Sequence, residues 1–270
     1  MDMQLLIWMG ALLLAIGAFA GMLAGLLGVG GGIVLVPAFY YAFSGLGFDG
    51  PELMRLCLGT SLATIIVTSV RSLLSHNKKG AVDWQILRDW APGIVVGAIL
   101  GVLLVSQLQT AVLRVIFGGL AIVVGTYMAA GSNDWRLGPK MPDGPVRWAL
   151  SPLLGFLSVL MGIGGGSFGV PVMSLYGVAI HRAVATAAGF GVIIAVPSVA
   201  GLLLSPVEPA PPFTVGSVNL IAFVLIIAMT LITAPFGAAL AHKTDARRLK
   251  RVFGVFLIFV ALNMLRKTLF

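Results

Sequence analysis

The sequence predicts an all-α, polytopic integral membrane protein built as two inverted repeats of about five helical segments each. Three observations carry that prediction. Only 10% of the 270 residues are charged, against 59% hydrophobic, where soluble domains carry roughly 25% charge. Apolar runs of about 20 residues, each long enough to cross the hydrocarbon core, recur throughout, and the mean hydropathy is +1.06. A Gly-rich motif occurs once in each half. This composition excludes a cytosolic enzyme, a secreted disulfide scaffold and a disordered chain.

Segment one, about 3–27, lacks a basic n-region and is too long for a signal h-region, so it is expected to be a retained helix. Four more apolar segments follow at about 30–44, 53–70, 91–108 and 111–130. The stretch GSNDWRLGPKMPDGPVR at 131–147 holds three prolines and both charge signs, and it reads as a linker between halves. Apolar segments resume at about 148–163, 165–179, 183–204, 217–241 and 252–269. The division is therefore 1–130, linker 131–147 and 148–270. Trp8, Trp84, Trp90, Trp135 and Trp148 lie near segment ends, as interfacial anchors should.

The same five-segment order appears twice, and the motifs match. GVGGGIVLVP begins at Gly28 and GIGGGSFGVP at Gly162, each placing a glycine triplet five residues ahead of a proline, Pro37 or Pro171. Later in each half Ala98, Gly101, Arg114 and Phe117 pair with Ala234, Gly237, Lys250 and Phe253. Charge sets the relation between the halves. Arg71, Lys78, Lys79 and Arg88 follow segment three, so that loop is expected to be cytoplasmic. Its counterpart SPVEPAPPF at 205–213 has no Lys or Arg, whereas the basic cluster Lys243–Arg251 follows segment nine. Equivalent loops prefer opposite sides, so the halves are inverted. Threading the chain this way puts 13 of the 17 Lys and Arg inside, with the linker. Both termini fall outside, and each Gly-rich pair of segments enters and returns.

The net charge of +8 would suggest nucleic acid in a soluble protein. Here it reports orientation, and no nucleic-acid partner is expected. The lipid bilayer is the expected surrounding, and a homo-oligomer is compatible with the sequence. Cys57 is the only cysteine, which leaves no intramolecular disulfide and no Cys-based metal site. No cofactor is expected.

Three consecutive glycines destabilise a helix by roughly 1 kcal/mol each relative to Ala. Broken helices persist in lipid only where protein or a watery cavity satisfies the freed backbone groups. Gly/Pro-interrupted segments at matching positions of inverted halves point to a transporter's substrate site. The helix after each triplet presents unpaired N–H groups and about half a positive charge, and glycine lets an ion approach closely. The candidate site is therefore Gly30, Gly31, Gly32, Gly164, Gly165 and Gly166, kinked by Pro37 and Pro171. Ser167, Thr60, Ser61, Thr64 and Thr186 can add hydroxyls. A small oxyanion suits such a pocket. The competing reading is that the glycines merely let helices pack.

GxGGGxxxxP in both halves, with GTS at 59–61 and HRAVAT at 181–186 heading the next segment, resembles the TauE/SafE sulfite exporter family over essentially the whole chain. The resemblance implies a multi-pass permease of the cell membrane for sulfite, sulfonates or related organosulfur anions. It places the motif at Gly28, Gly30, Gly31, Gly32 and Pro37, then Gly162, Gly164, Gly165, Gly166 and Pro171. The sequence departs from its own first half at ATAAG, 185–189.

Other motifs carry less. GGSFG at 165–169 matches the nucleophile elbow but lacks the required strand-turn-helix. A membrane-embedded enzyme using Ser167 with His181 is the reading from another class, and a permease for a carboxylate is the nearer alternative. The ladders Gly17, Gly21, Gly25 and Gly93, Gly97, Gly101 predict close helix approach. All nine carboxylates fall in loops or at segment ends, so no proton relay and no formal charge is expected at mid-depth. That absence predicts weak, electrogenic transport driven by membrane potential.

Overall fold

The computed structural model describes residues 3–27, 32–130, 135–241 and 246–269. Ten helices make up the described chain: α1 (Met3–Leu27), α2 (Gly32–Gly45), α3 (Leu53–Lys78), α4 (Trp84–Gln107), α5 (Thr110–Ala130), α6 (Gly144–Leu160), α7 (Gly166–Leu175), α8 (Ile180–Leu203), α9 (Leu220–Ala241) and α10 (Ala246–Leu269). One hairpin, β1 (Thr214–Val215) and β2 (Val218–Asn219), pairs Thr214 with Asn219 ahead of α9. The fold is all-α and polytopic. Five of the helices are long and apolar enough to cross a membrane: α3, α4, α5, α8 and α9.

The ten apolar segments correspond to the ten helices, with the largest differences of extent at α3, α4 and α10, the last of which begins at Ala246 rather than at about 252. α3 continues eight residues past the apolar run to Lys78, and α4 begins at Trp84. Arg71, Lys78 and Arg88 therefore sit on helices, and only residues 79–83 form the connection. Asp83 ends that connection by capping α4, its carboxylate accepting from the Ile86 N–H at 3.1 Å. Trp90 is also reassigned. It is fully buried and stacked on Phe190 at 6.3 Å, whereas Trp8, Trp84, Trp135 and Trp148 are more than half exposed.

α2 and α7 hold 14 and 10 residues, or about 21 and 15 Å of helix. Neither spans a hydrocarbon core of about 30 Å. Both carry a proline at their sixth position, Pro37 and Pro171. A proline there has no N–H to give the carbonyl four residues back.

Glycines set the pairing of the long helices. Gly17 faces Ile226 and Met229, and Gly21 faces Thr230 and Thr233, so α1 and α9 run parallel. Gly93 faces Ser151 and Gly101 faces Val159, so α4 and α6 also run parallel. α5 and α10 are antiparallel, with Gly118 on Leu265 and Gly125 on Ile258. So are α3 and α8, with Arg55 bonded to the Pro206 carbonyl and Ser69 against Gly191. Exchanging the first five helices for the last five leaves this scheme unchanged: α1–α9 becomes α6–α4, while α3–α8 and α5–α10 map onto themselves.

The fit is tight enough to make a test. A Cβ on Gly97 would lie 1.8 Å from the Pro152 carbonyl oxygen, which cannot rotate away. Gly97→Ala is expected to destabilise the detergent-solubilised protein by about 1–3 kcal/mol, the usual range for overpacking, measured as a fall in Tm.

Candidate functional site

The two glycine segments meet inside the helix bundle. A Cβ on Gly32 would sit 2.9 Å from the Gly162 carbonyl oxygen and 3.1 Å from the Ile163 Cα. Gly162 adopts φ +59°, a conformation that glycine alone takes freely, between Leu58 and Val36. Ser61 fixes this non-helical turn by donating to the Gly162 carbonyl at 2.7 Å. Gly30 and Gly31 lie outside the described residues.

After the turn, α7 begins at Gly166, with Gly165 as its N-cap residue and no capping side chain. Among the described residues, the N–H groups of Gly164, Gly165 and Gly166 have no hydrogen-bond partner. They open onto a cavity of about 400 Å³ between α3, α8 and α9, with Ala24 of α1 contributing. Its walls are small and apolar on α8 and α9, from Val184, Ala187, Ala188 and Ala234. Its α3 wall is polar: Thr68, Ser69, Arg71, Ser72, Ser75 and His76. Measured along α3 from Lys78, Ser69 lies nine residues in, or about 13 Å deep.

Two of these groups have no partner among the described residues, and a third stands beside them. The Arg71 guanidinium has no carboxylate or carbonyl partner among the described residues and is exposed to the cavity mouth. Thr230 is only 7% exposed, yet its Oγ1 has no hydrogen-bond partner. The Ser69 hydroxyl lies 3.8 Å from where a Gly164 Cβ would be. Unpaired N–H groups, a helix N-terminus and an arginine make a chemical setting for a small anion.

The sequence-derived candidates distribute unevenly. Gly164, Gly165 and Gly166 line the cavity. Gly32 touches the second glycine segment but does not line it. Ser167 is 5% exposed, with an unpartnered Oγ, one residue beyond the lining.

Thr60 and Thr186 serve elsewhere. Thr60 accepts the N–H of Asn219 at 3.0 Å, and Thr186 accepts the N–H of Asp83 at 3.0 Å. Asn219 and Asp83 in turn accept the N–H groups of Ala222 and Ile86 as α9 and α4 begin. Each threonine thus holds the start of a helix of the other half, Thr60 that of α9 and Thr186 that of α4, and the antiparallel packing of α3 and α8 puts the two near opposite ends. Thr64 bonds back to the Ser61 carbonyl.

Arg71, a loop residue by its sequence context, lies on α3 and lines the cavity mouth. The sequence signal was present: Thr68, Ser69, Ser72, Ser75 and His76 recur at helical spacing, a polar stripe on one face.

At the opposite end two buried arginines are engaged. Arg55 is 7% exposed, donates to the Ser106 and Pro206 carbonyls at 2.8 and 2.7 Å, and pairs with Glu52. Arg114 donates to the Tyr40 hydroxyl at 2.6 Å and to the Met264 carbonyl at 3.0 Å. These bonds join α3, α4 and the α8–α9 connection, and then α2, α5 and α10. That end is closed.

Known proteins agree with a transport role. A protein of Haemophilus influenzae named "Probable membrane transporter protein" is 33% identical over 261 residues, covering 95% of this chain and 98% of its own. Similarly named proteins of Methanocaldococcus jannaschii and Bacillus subtilis are 27% and 23% identical, each over at least 94% of both chains. No solved structure matches this chain. The relatives are membrane transporters, which sets the enzyme reading of Ser167 and His181 aside. The family model described as "Sulfite exporter TauE/SafE" matches residues 13–264, and the chain belongs to that family of membrane transporters.

Proposed function

We propose that this transporter carries a small sulfur oxyanion, sulfite or a short sulfonate, through the cavity that ends on Gly164–Gly166. One observation carries the reading. Unpaired backbone N–H groups, the free Arg71 guanidinium and the unpartnered Thr230 hydroxyl converge on one cavity. The family description adds the sulfur class. A small carboxylate fits the same donors and is compared in the flux assay.

The proposal includes an orientation. Residues 1–130 and 148–270 form inverted halves joined by the 131–147 linker, with that linker and the Arg71 end of the cavity on the cytoplasmic side of the cell membrane. The antiparallel pairing of the matched helices α3 with α8 and α5 with α10 supports it, as does the basic bias around Arg71, Lys78 and Lys79.

An inside-negative potential favours anion export by about 2.3 kcal/mol per charge per 100 mV. Among the described residues, no carboxylate lines the cavity. In proteoliposomes loaded with labelled sulfite, flux is expected to follow an imposed potassium diffusion potential without a proton or sodium gradient. Sulfoacetate, sulfate and acetate are compared in parallel. Flux that needs a cation gradient and ignores the potential would refute the driving force. Failure of every oxyanion to cross would refute the substrate.

A further inference from the structure

The two halves pair their helices alike, yet the two matched gaps between them differ. α9 stands off from the C-terminal part of α3, and the cavity fills that gap. The matching pair, α8 and α4, is shut: a Cβ on Gly201 would lie 2.7 Å from Val102, and one on Gly189 would lie 2.5 Å from Leu87.

The capping threonines give the register. Thr60 on α3 matches Thr186 on α8, and Asn219 before α9 matches Asp83 before α4, because each pair makes the same hydrogen bond. On that register Thr68, Ser69, Ser72 and His76 of the open cavity match Ile194, Ala195, Ser198 and Leu202. Thr230 and Ala234 match Ile94 and Ala98. These six counterparts are all 0% exposed. Packing supports the same register: Gly21 faces Thr230, and its counterpart Gly155 faces Ile94.

We propose that Ile94, Ala98, Ile194, Ala195, Ser198 and Leu202 form a second substrate cavity, closed in this structure, that opens on the Arg55 face when the first one closes. The proposal rests on the transport reading above, since inverted halves that exchange shapes expose one site to each side in turn. A second observation points to a ligand there. Ser158 is 0% exposed with an unpartnered Oγ. It lies at the position matching Ala24 of the open cavity, one turn beyond Gly155.

The chemistry of the second cavity differs from that of the first. Arg71 matches Pro197 and His76 matches Leu202, so no cation stands in it. The Ser198 hydroxyl already donates to the Ile194 carbonyl at 2.6 Å. The same oxyanion class is held there by the Ser158 hydroxyl and by backbone, and more weakly than beside Arg71. The Arg71 side loads and the other side releases. Half-saturation by sulfite is expected at a concentration about tenfold lower on the Arg71 face, the ratio that 1.4 kcal/mol of differential binding gives.

Impermeant maleimide labelling tests the second cavity directly. Native Cys57 is 0% exposed, a silent background. Full-length Ser72→Cys and Ser198→Cys, with Ala195→Cys as a second variant of the closed set, are labelled in substrate-free buffer in sealed spheroplasts and in inverted vesicles. Ser72→Cys is expected to react only from the Arg71 face. Ser198→Cys and Ala195→Cys are expected to react only from the opposite face, and slowly. If both of the latter react from the Arg71 face, or from neither, the second cavity does not exist, whether or not sulfite moves. If they label as expected while no oxyanion crosses, the cavity stands and the substrate assignment falls.

Discussion

Arg71→Gln is expected to lower sulfite flux at subsaturating concentration by tenfold or more while leaving the purified protein folded. The side chain is exposed, packs into no core and has no partner among the described residues. Its loss therefore strands no buried group. Its charge, by contrast, is the one Lys or Arg charge among the described residues that line the cavity. A hydrogen bond to a charged group contributes about 1.5–3 kcal/mol, or roughly one to two powers of ten in binding. The effect should fall on half-saturation measured from the Arg71 face. Arg71→Lys restores the charge without the planar fork and should recover most of the flux. Unchanged transport by Arg71→Gln would mean that the anion passes without meeting this residue.

Much of this architecture is legible in the residues. Apolar runs located all ten helices, and the repeated GxGGGxxxxP marked the two half-length helices α2 and α7. What the sequence misplaced follows from how tertiary structure uses polar groups. Hydropathy ends segment three at residue 70 because Arg71, Ser72 and Ser75 interrupt it. The helix runs on to Lys78 because those side chains face a cavity rather than lipid. Arg71 thus looked like a topogenic loop charge. Thr60 and Thr186 looked like ligands because a buried hydroxyl near a glycine motif has no partner in a one-dimensional reading. Each partner lies more than 100 residues away, the N–H of Asn219 or of Asp83. Trp90 illustrates the same limit. Its position near a segment start suits an interfacial anchor, and only packing against Phe190 shows that it is core.

Two glycines of the triplet differ in the room they leave for a methyl group, and that difference separates packing from binding. A Cβ on Gly165 would lie 2.3 Å from the Phe190 Cβ and 2.6 Å from the Ala187 carbonyl oxygen. Neither atom is the loose end of a side chain, so α7 and α8 would have to part. Gly165→Ala is expected to destabilise by about 1–3 kcal/mol and to lose flux together with fold, seen as a lowered Tm and aggregation on size exclusion. A Cβ on Gly164 meets only the Ile65 Cγ2 at 3.2 Å, the Gly191 Cα at 3.6 Å and the Ser69 Oγ at 3.8 Å. A shift of a few tenths of an ångström by the Ile65 side chain accommodates it. Gly164→Ala is therefore expected to hold its Tm within about 4 °C, the shift that 1 kcal/mol gives in a chain of this size. The new methyl stands beside Ser69 and over the free N–H groups, where glycine otherwise lets an oxygen approach. Flux is expected to fall at least tenfold. If Gly164→Ala transports like the parent, those N–H groups do not hold the substrate, and the triplet is explained by the packing that Gly165 demonstrates.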